Sequence, residues 1–201
     1  MLVFIGNNIK ANADYSEGFE LNHAHSVGFV NEGLYSIISS NNIVSEWAGC
    51  AIGLENKGEY TIVNANKILS THTIYGISIK NTGDRSSITS NIITSTSRNA
   101  RLLELSANNC IISHNIMEVL MPEQECRSGC GIYAIGTNMS GNIITENIIY
   151  NVLNCGVFAD CNVGIFNNNR VVSFGCTKCK SDSNDYYLLE RLNEKNIRSF
   201  K

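Results

Sequence analysis

Charge is scarce in this 201-residue sequence: Asp, Glu, Lys and Arg together make up 16%, and the formal net charge is −3. That balance supplies no basic face of the kind nucleic acid requires. Proline occurs once, at Pro122, and tryptophan once, at Trp47. No apolar run approaches the roughly 20 residues of a membrane-crossing helix, so no membrane partner is expected. The opening Met1-Leu-Val-Phe-Ile-Gly has neither a basic leader nor a long apolar segment. No signal peptide is read from it, and the compartment stays open.

Asparagine and isoleucine are abundant instead, at 28 and 25 residues. Ile favours strands because its branched Cβ packs well on a pleated surface. Asn tolerates tight turns and left-handed backbone. The two combine in a recurring apolar-x-x-Asn-x-apolar pattern: Phe4/Asn7/Ile9, Ile38/Asn41/Ile43, Val63/Asn66/Ile68, Ile88/Asn91/Ile93, Ile112/Asn115/Met117, Ile144/Asn147/Ile149 and Phe166/Asn169/Val171. Successive Asn are 34, 25, 25, 24, 32 and 22 residues apart. A period in this range marks a solenoid, whose units bury their apolar faces only against neighbours. Leucine-rich repeats share the length but are led by Leu and carry a helical segment. Here Ile leads and the repeats hold no helical spacing, so a β-helix fits better. Asn stacked at equivalent corners would form a side-chain hydrogen-bond ladder.

About ten residues after each Asn, most repeats show a small residue and an apolar-x-apolar triplet, as in Gly18-Phe-Glu-Leu21, Ala51-Ile-Gly-Leu54, Gly76-Ile-Ser-Ile79, Leu103-Glu-Leu105, Gly131-Ile-Tyr-Ala134 and Gly156-Val-Phe-Ala159. Alternation places the middle residues outward in one column: Glu20, Gly53, Ser78, Glu104, Tyr133 and Phe158. Two steps are long. The first gains roughly ten residues near His23–Asn31, the other a polar loop around Glu118–Ser128. Such insertions often border a binding face.

The eight cysteines are scattered over the repeats and read as buried thiols. Zinc at Cys126, Cys130, Cys176 and Cys179 would require the loop and the tail to meet, and His23 with His25 lack a third ligand. No metal site and no cofactor is assigned.

The Asn-x-Ile corner and the Gly76–Ile79 strand resemble the right-handed parallel β-helix superfamily, with its pectate-lyase-like and NosD-like members and many phage tailspikes, over about residues 3–174. The expected fold is therefore all-β. Residues 1–175 form a single-stranded right-handed parallel β-helix, a solenoid of about seven coils. Residues 176–201 form a polar link and a short C-terminal capping helix, with apolar Leu188, Leu189, Leu192 and Ile197 and Asp185 as its cap. The repeat begins almost at the first residue, which suggests a fragment or an end covered by a partner.

In carbohydrate-active members of that superfamily, a groove runs along the equivalent strand. There the resemblance implies aromatic rings stacked on sugars, Arg paired with uronates, and carboxylates as acid, base or cation ligands. The matching catalytic candidates are Glu104, His72, Arg101 and Asp160; the substrate-binding candidates are Trp47, Tyr75, Arg98, Tyr133 and Phe158. Two-carboxylate hydrolysis needs a second acid within about 5–10 Å. Coils about 4.8 Å apart put Glu20 too far from Glu104 and leave Asp160 at the margin. The sequence also departs from the family's enzymes: it has no Asp-Asp pair, no Gly-His-Gly and no aspartates recurring at one outward position.

The expected function is a carbohydrate-binding or polysaccharide-processing module acting on a glycan along the exposed face. An enzyme here would be a lyase, glycoside hydrolase or epimerase. The alternative is a structural or assembly rod without activity. Homo-oligomers fit either.

Overall fold

The computed structural model describes residues 2–12, 25–46, 49–71, 74–120, 128–136, 139–152, 155–159 and 164–172. The chain winds repeatedly through three parallel sheets. The first stacks Val3–Ile5, Ile37–Ser39, Ile62–Asn64, Ser87–Thr89, Ile111–Ser113, Asn142–Thr145 and Gly164–Asn167. The second stacks Asn8–Asn12, Asn42–Glu46, Lys67–Thr71, Ile92–Ser95, Ile116–Val119, Ile148–Tyr150 and Arg170–Val172. The third stacks His25–Asn31, Cys50–Asn56, Tyr75–Asn81, Asn99–Leu105, Ser128–Ala134 and Cys155–Ala159. Among the described residues there is no helix, and the fold is a parallel β-helix. The expected tail helix lies outside the described residues.

The two apolar residues of the sequence repeat form the core. Phe4, Ile38, Val63, Ile88, Ile112, Ile144 and Phe166 stack in register on the first sheet. Ile9, Ile43, Ile68, Ile93, Met117, Ile149 and Val171 stack on the second. Leu54, Ile79, Leu103 and Ile132 close the interior from the third, giving one continuous cluster. Each fully buried aliphatic side chain contributes roughly 1.5–3 kcal/mol by leaving water.

The repeated Asn lies just inside the corner between the first two sheets. Its Oδ1 accepts the backbone N–H and the Nδ2–H of the Asn one coil earlier, as in Asn66→Asn91 at 2.9 and 3.0 Å. Its Nδ2 also donates to a carbonyl of the preceding coil, as Asn91 does to Val63 at 3.0 Å. The ladder runs through Asn7, Asn41, Asn66, Asn91, Asn115, Asn147 and Asn169. The left-handed residue at this corner is the one before the Asn: Gly6, Ser40, Ala65, Ser90, His114, Glu146 and Asn168 have φ between 51 and 71°. The Asn itself satisfies the polar groups that the turn buries.

A second ladder joins the third sheet to the first. Asn31 Nδ2 donates to Asn56 Oδ1 at 2.7 Å, and Asn56 Nδ2 to Asn81 Oδ1 at 2.6 Å. It ends where Leu105 follows Asn81 in register. The extra residues of the first coil fall between Asn12 and His25, because His25–Asn31 is itself a strand of the third sheet. That corrects the expected insertion near His23–Asn31. The expected triplet Gly18–Leu21 lies outside the described residues; the strand described for that coil in the third sheet is His25–Asn31.

Candidate functional site

The outer face of the third sheet carries the candidate residues. In register, its outward column reads Val30, Glu55, Lys80, Glu104, Tyr133 and Phe158. This corrects simple alternation, which put Gly53 and Ser78 in that column. Both face inward, immediately before inward Leu54 and Ile79. A Cβ on Gly53 would stand 2.6 Å from Ile68 Cγ2. The Ser78 hydroxyl is buried and donates to the Thr94 carbonyl at 2.6 Å.

Two consecutive inward residues shift the outward position by one. In these coils the true triplets are Leu54-Glu55-Asn56 and Ile79-Lys80-Asn81, whose inward third residue is a ladder Asn. An apolar-x-apolar search therefore passes over Glu55 and Lys80. The 25-residue spacing of Asn31, Asn56 and Asn81 is the signal that locates them.

The same double-inward step makes Arg101 and Glu104 consecutive on the outer face, with Leu102 and Leu103 turned into the core between them. Arg101 Nη1 donates to Glu104 Oε2 at 2.6 Å. The Arg101 guanidinium lies 3.9 Å from the centre of the Tyr133 ring, and Tyr133 stacks on Phe158 at 4.9 Å with 17° between planes. A cation on an aromatic face contributes about 0.5–2 kcal/mol according to its exposure. Glu104 is 8% exposed, so its carboxylate is mostly withdrawn from water and relies on that guanidinium. On the adjacent coils, Lys80 Nζ is 3.1 Å from Glu55 Oε1, and Lys57 lies 3.6 Å from the same carboxylate group.

Tyr75 and Arg98 are exposed at the opposite end of the strands, Tyr75 opening its strand in register with Asn99. The structure brings Glu104, Arg101, Tyr133 and Phe158 together and leaves Tyr75 and Arg98 apart from them. Trp47, His72, Asp160 and Glu20 lie outside the described residues, as do Cys126, Cys176 and Cys179.

The chain matches no family model and no curated protein.

Cys50, on the same sheet, marks the electrostatic reach of the cluster. Burial pushes its thiol up from 9.0, Glu104 adds to the rise, and Lys80 and Arg101 oppose it. Burial likewise raises the Cys110 thiol inside the core. The thiolate is the reactive form. Both residues are therefore expected to label slowly with iodoacetamide in the folded chain at neutral pH, and faster once pH climbs past 9.0, the ordinary value. Residue-resolved mass spectrometry after a short exposure checks this; rapid neutral-pH labelling of Cys110 without unfolding would contradict it.

Among the described residues, no group of three or more His, Cys, Asp and Glu side chains is placed to hold a metal ion. No helix there is long and apolar enough to cross a membrane. The face offers carboxylate, ammonium, guanidinium and phenol groups at one-coil steps of about 4.8 Å on a rigid sheet.

Proposed function

We propose that the chain is a carbohydrate-binding β-helix module, with the outer face of the third sheet as its glycan surface. The observation that carries this reading is the unbroken column Glu55, Lys80, Glu104, Tyr133 and Phe158, flanked by Arg101. Such a column offers a sugar chain alternating hydrogen-bond acceptors and donors, then the edges of the stacked Tyr133 and Phe158 rings, along one straight line. The resemblance of the corner and strand motifs to the pectate-lyase-like superfamily points the same way.

Binding without bond cleavage is the form this reading takes. Glu55 and Glu104 stand two coils apart, about 10 Å by strand spacing, at the edge of the separation that inverting hydrolysis uses. Yet Lys80 stands between them in register and pairs with Glu55, while Arg101 holds Glu104. Each carboxylate thus has a resident cation, an arrangement suited to holding a polar polymer.

A glycan array that includes acidic polysaccharides tests it, with wild type beside Tyr133→Ala and Lys80→Ala. Tyr133→Ala is expected to weaken binding by at least about tenfold, roughly 1.4 kcal/mol, with circular dichroism unchanged. Absence of binding to any glycan removes this reading. A specific observation favours a structural rod in that event. Tyr133 lies between Arg101 and Phe158, so its ring faces are taken up within the protein. Product analysis on any bound polysaccharide separates binding from processing.

A further inference from the structure

The first sheet differs from the other two: none of its seven strands contains a charged residue. Val3, Ile37, Ile62, Ser87, Ile111, Ile143 and Ile165 form one outward row in register, apolar at every position but Ser87. Ile62 is 43% exposed, Ile111 44% and Ile165 56%. Most of the exposed large apolar side chains among the described residues lie on this sheet or at its two edges. Tyr35 and Tyr60 stack at one edge, and Ile92 and Ile116 stand just past the other.

Charges begin only at the rim, with the Arg85–Glu59 pair beside Tyr60, the His114–Glu146 pair at the opposite corner, and Lys67 and Arg170 in the row that holds Ile92 and Ile116. An apolar centre with a polar border is the anatomy of a protein interface.

From this we infer that the first sheet is where a second copy of this chain packs, the two rods lying side by side about a two-fold axis that runs along the Ile row. Three features single out that occupant. The face offers no charge for an ionic partner to neutralise, and it can meet its own copy without burying an ion. Its ridges repeat at the strand spacing of about 4.8 Å, a period that another copy shares over the whole length. Its extent also suits a pair. Seven strands span about 29 Å along the rod, and the face with its two edges is about 20 Å wide, giving roughly 600 Å². That footprint, which also takes in the polar row Ser39, Asn64, Thr89, Ser113, Thr145 and Asn167 of the same sheet, approaches the roughly 800 Å² per partner of a stable complex. The inference uses a different sheet from the glycan reading and stands or falls apart from it.

Sedimentation equilibrium of the full chain over a concentration series is the test, with wild type beside the double variant Ile111→Lys, Ile143→Lys. Wild type is expected to run as a dimer. The lysines would face a copy of themselves across the axis, weakening dimerisation by at least about 100-fold, with far-UV circular dichroism unchanged. Should the lysines disturb folding, Ile111→Ser with Ile143→Ser decides, because Ser87 already occupies this row between Ile62 and Ile111; that pair is expected to weaken the dimer in the folded chain. A wild type that stays monomeric, a trimer, or a dimer unaffected by these substitutions would overturn the inference.

Discussion

Asn91→Leu is expected to destabilise the chain by about 3–5 kcal/mol, read as a lowered midpoint in urea unfolding followed by circular dichroism. The Asn91 side chain serves both neighbouring coils. Its Oδ1 accepts the Asn66 backbone N–H and Asn66 Nδ2–H, and its Nδ2 donates to the Val63 carbonyl and Asn115 Oδ1. Asn66 Nδ2 retains the Ile38 carbonyl, and Asn115 Oδ1 retains the Asn91 backbone N–H. The Asn66 N–H and the side-chain bond to Val63 have no such substitute, and Asn91 is 1% exposed, so water does not replace what is lost. Each buried group left unsatisfied costs about 1–3 kcal/mol, a large share of the 5–15 kcal/mol that typically holds a domain together. Asn169→Leu is the comparison. It removes the same kind of bonds from a half-buried residue, where water can take over, and about 1 kcal/mol is expected. Equal losses at the two positions would show that burial does not set the strength of the ladder.

Gly53→Ala is expected to cost about 3 kcal/mol through overpacking. The added Cβ would lie 2.6 Å from Ile68 Cγ2 and 2.6 Å from the Ser78 carbonyl oxygen of the next coil. The methyl belongs to the core column, and the carbonyl belongs to backbone whose spacing is held by ladders at two corners. Neither moves without disturbing several coils. Gly33→Ala serves as the control, since its nearest contact would be the Ser36 hydroxyl at 3.0 Å, a group that can rotate. Thermal unfolding of the two variants separates a real steric limit from a general intolerance of side chains at glycine. A Gly53→Ala protein as stable as wild type would mean that the coils part more easily than their hydrogen bonding implies.

These two positions also show what the sequence makes legible. Asn91 and its repeats stood out because the residues on either side, Ile88 and Ile93, are large aliphatics that must face inward. Periodicity of that kind survives any choice of outward residue, so the first two sheets and their register could be read directly. The third sheet hides its inward positions under Gly53, Ser78, Asn56 and Asn81, small or polar residues that look like surface. Its outward column was consequently misaligned in the coils holding Glu55 and Lys80, and aligned where Ile132 and Ala134 flank Tyr133.

The second left-handed corner was hidden for a related reason. It is occupied by Tyr35, Tyr60, Arg85 and Asn109, at φ of 54 to 58°. Most of these are not turn-forming types, and each accepts about 1–2 kcal/mol of local strain. The neighbouring coils supply the compensation, for example through the Tyr60 N–H donated to the Asp84 carbonyl at 3.0 Å. Single-sequence signals carry no trace of help that arrives from 24 residues away. Of the candidate site, Glu104 with Tyr133 and Phe158 was legible as a line. The contact between Arg101 and Glu104 was not, because it depends on two successive residues turning inward.

The in-register ladders give the molecule the properties of a ruler. Each graduation is one coil of about 25 residues, advances the rod by about 4.8 Å, and is joined to the next by the same hydrogen bonds at the same places. Removing 66–90 would place Asn91 one coil after Asn41 and rebuild the joint of the first ladder that was cut. Length along the axis can therefore be changed in whole steps, while the interior and the outer columns keep their spacing. A partner that spans several coils would then sense how many there are by counting residues in a line, with no change in the chemistry of any one of them.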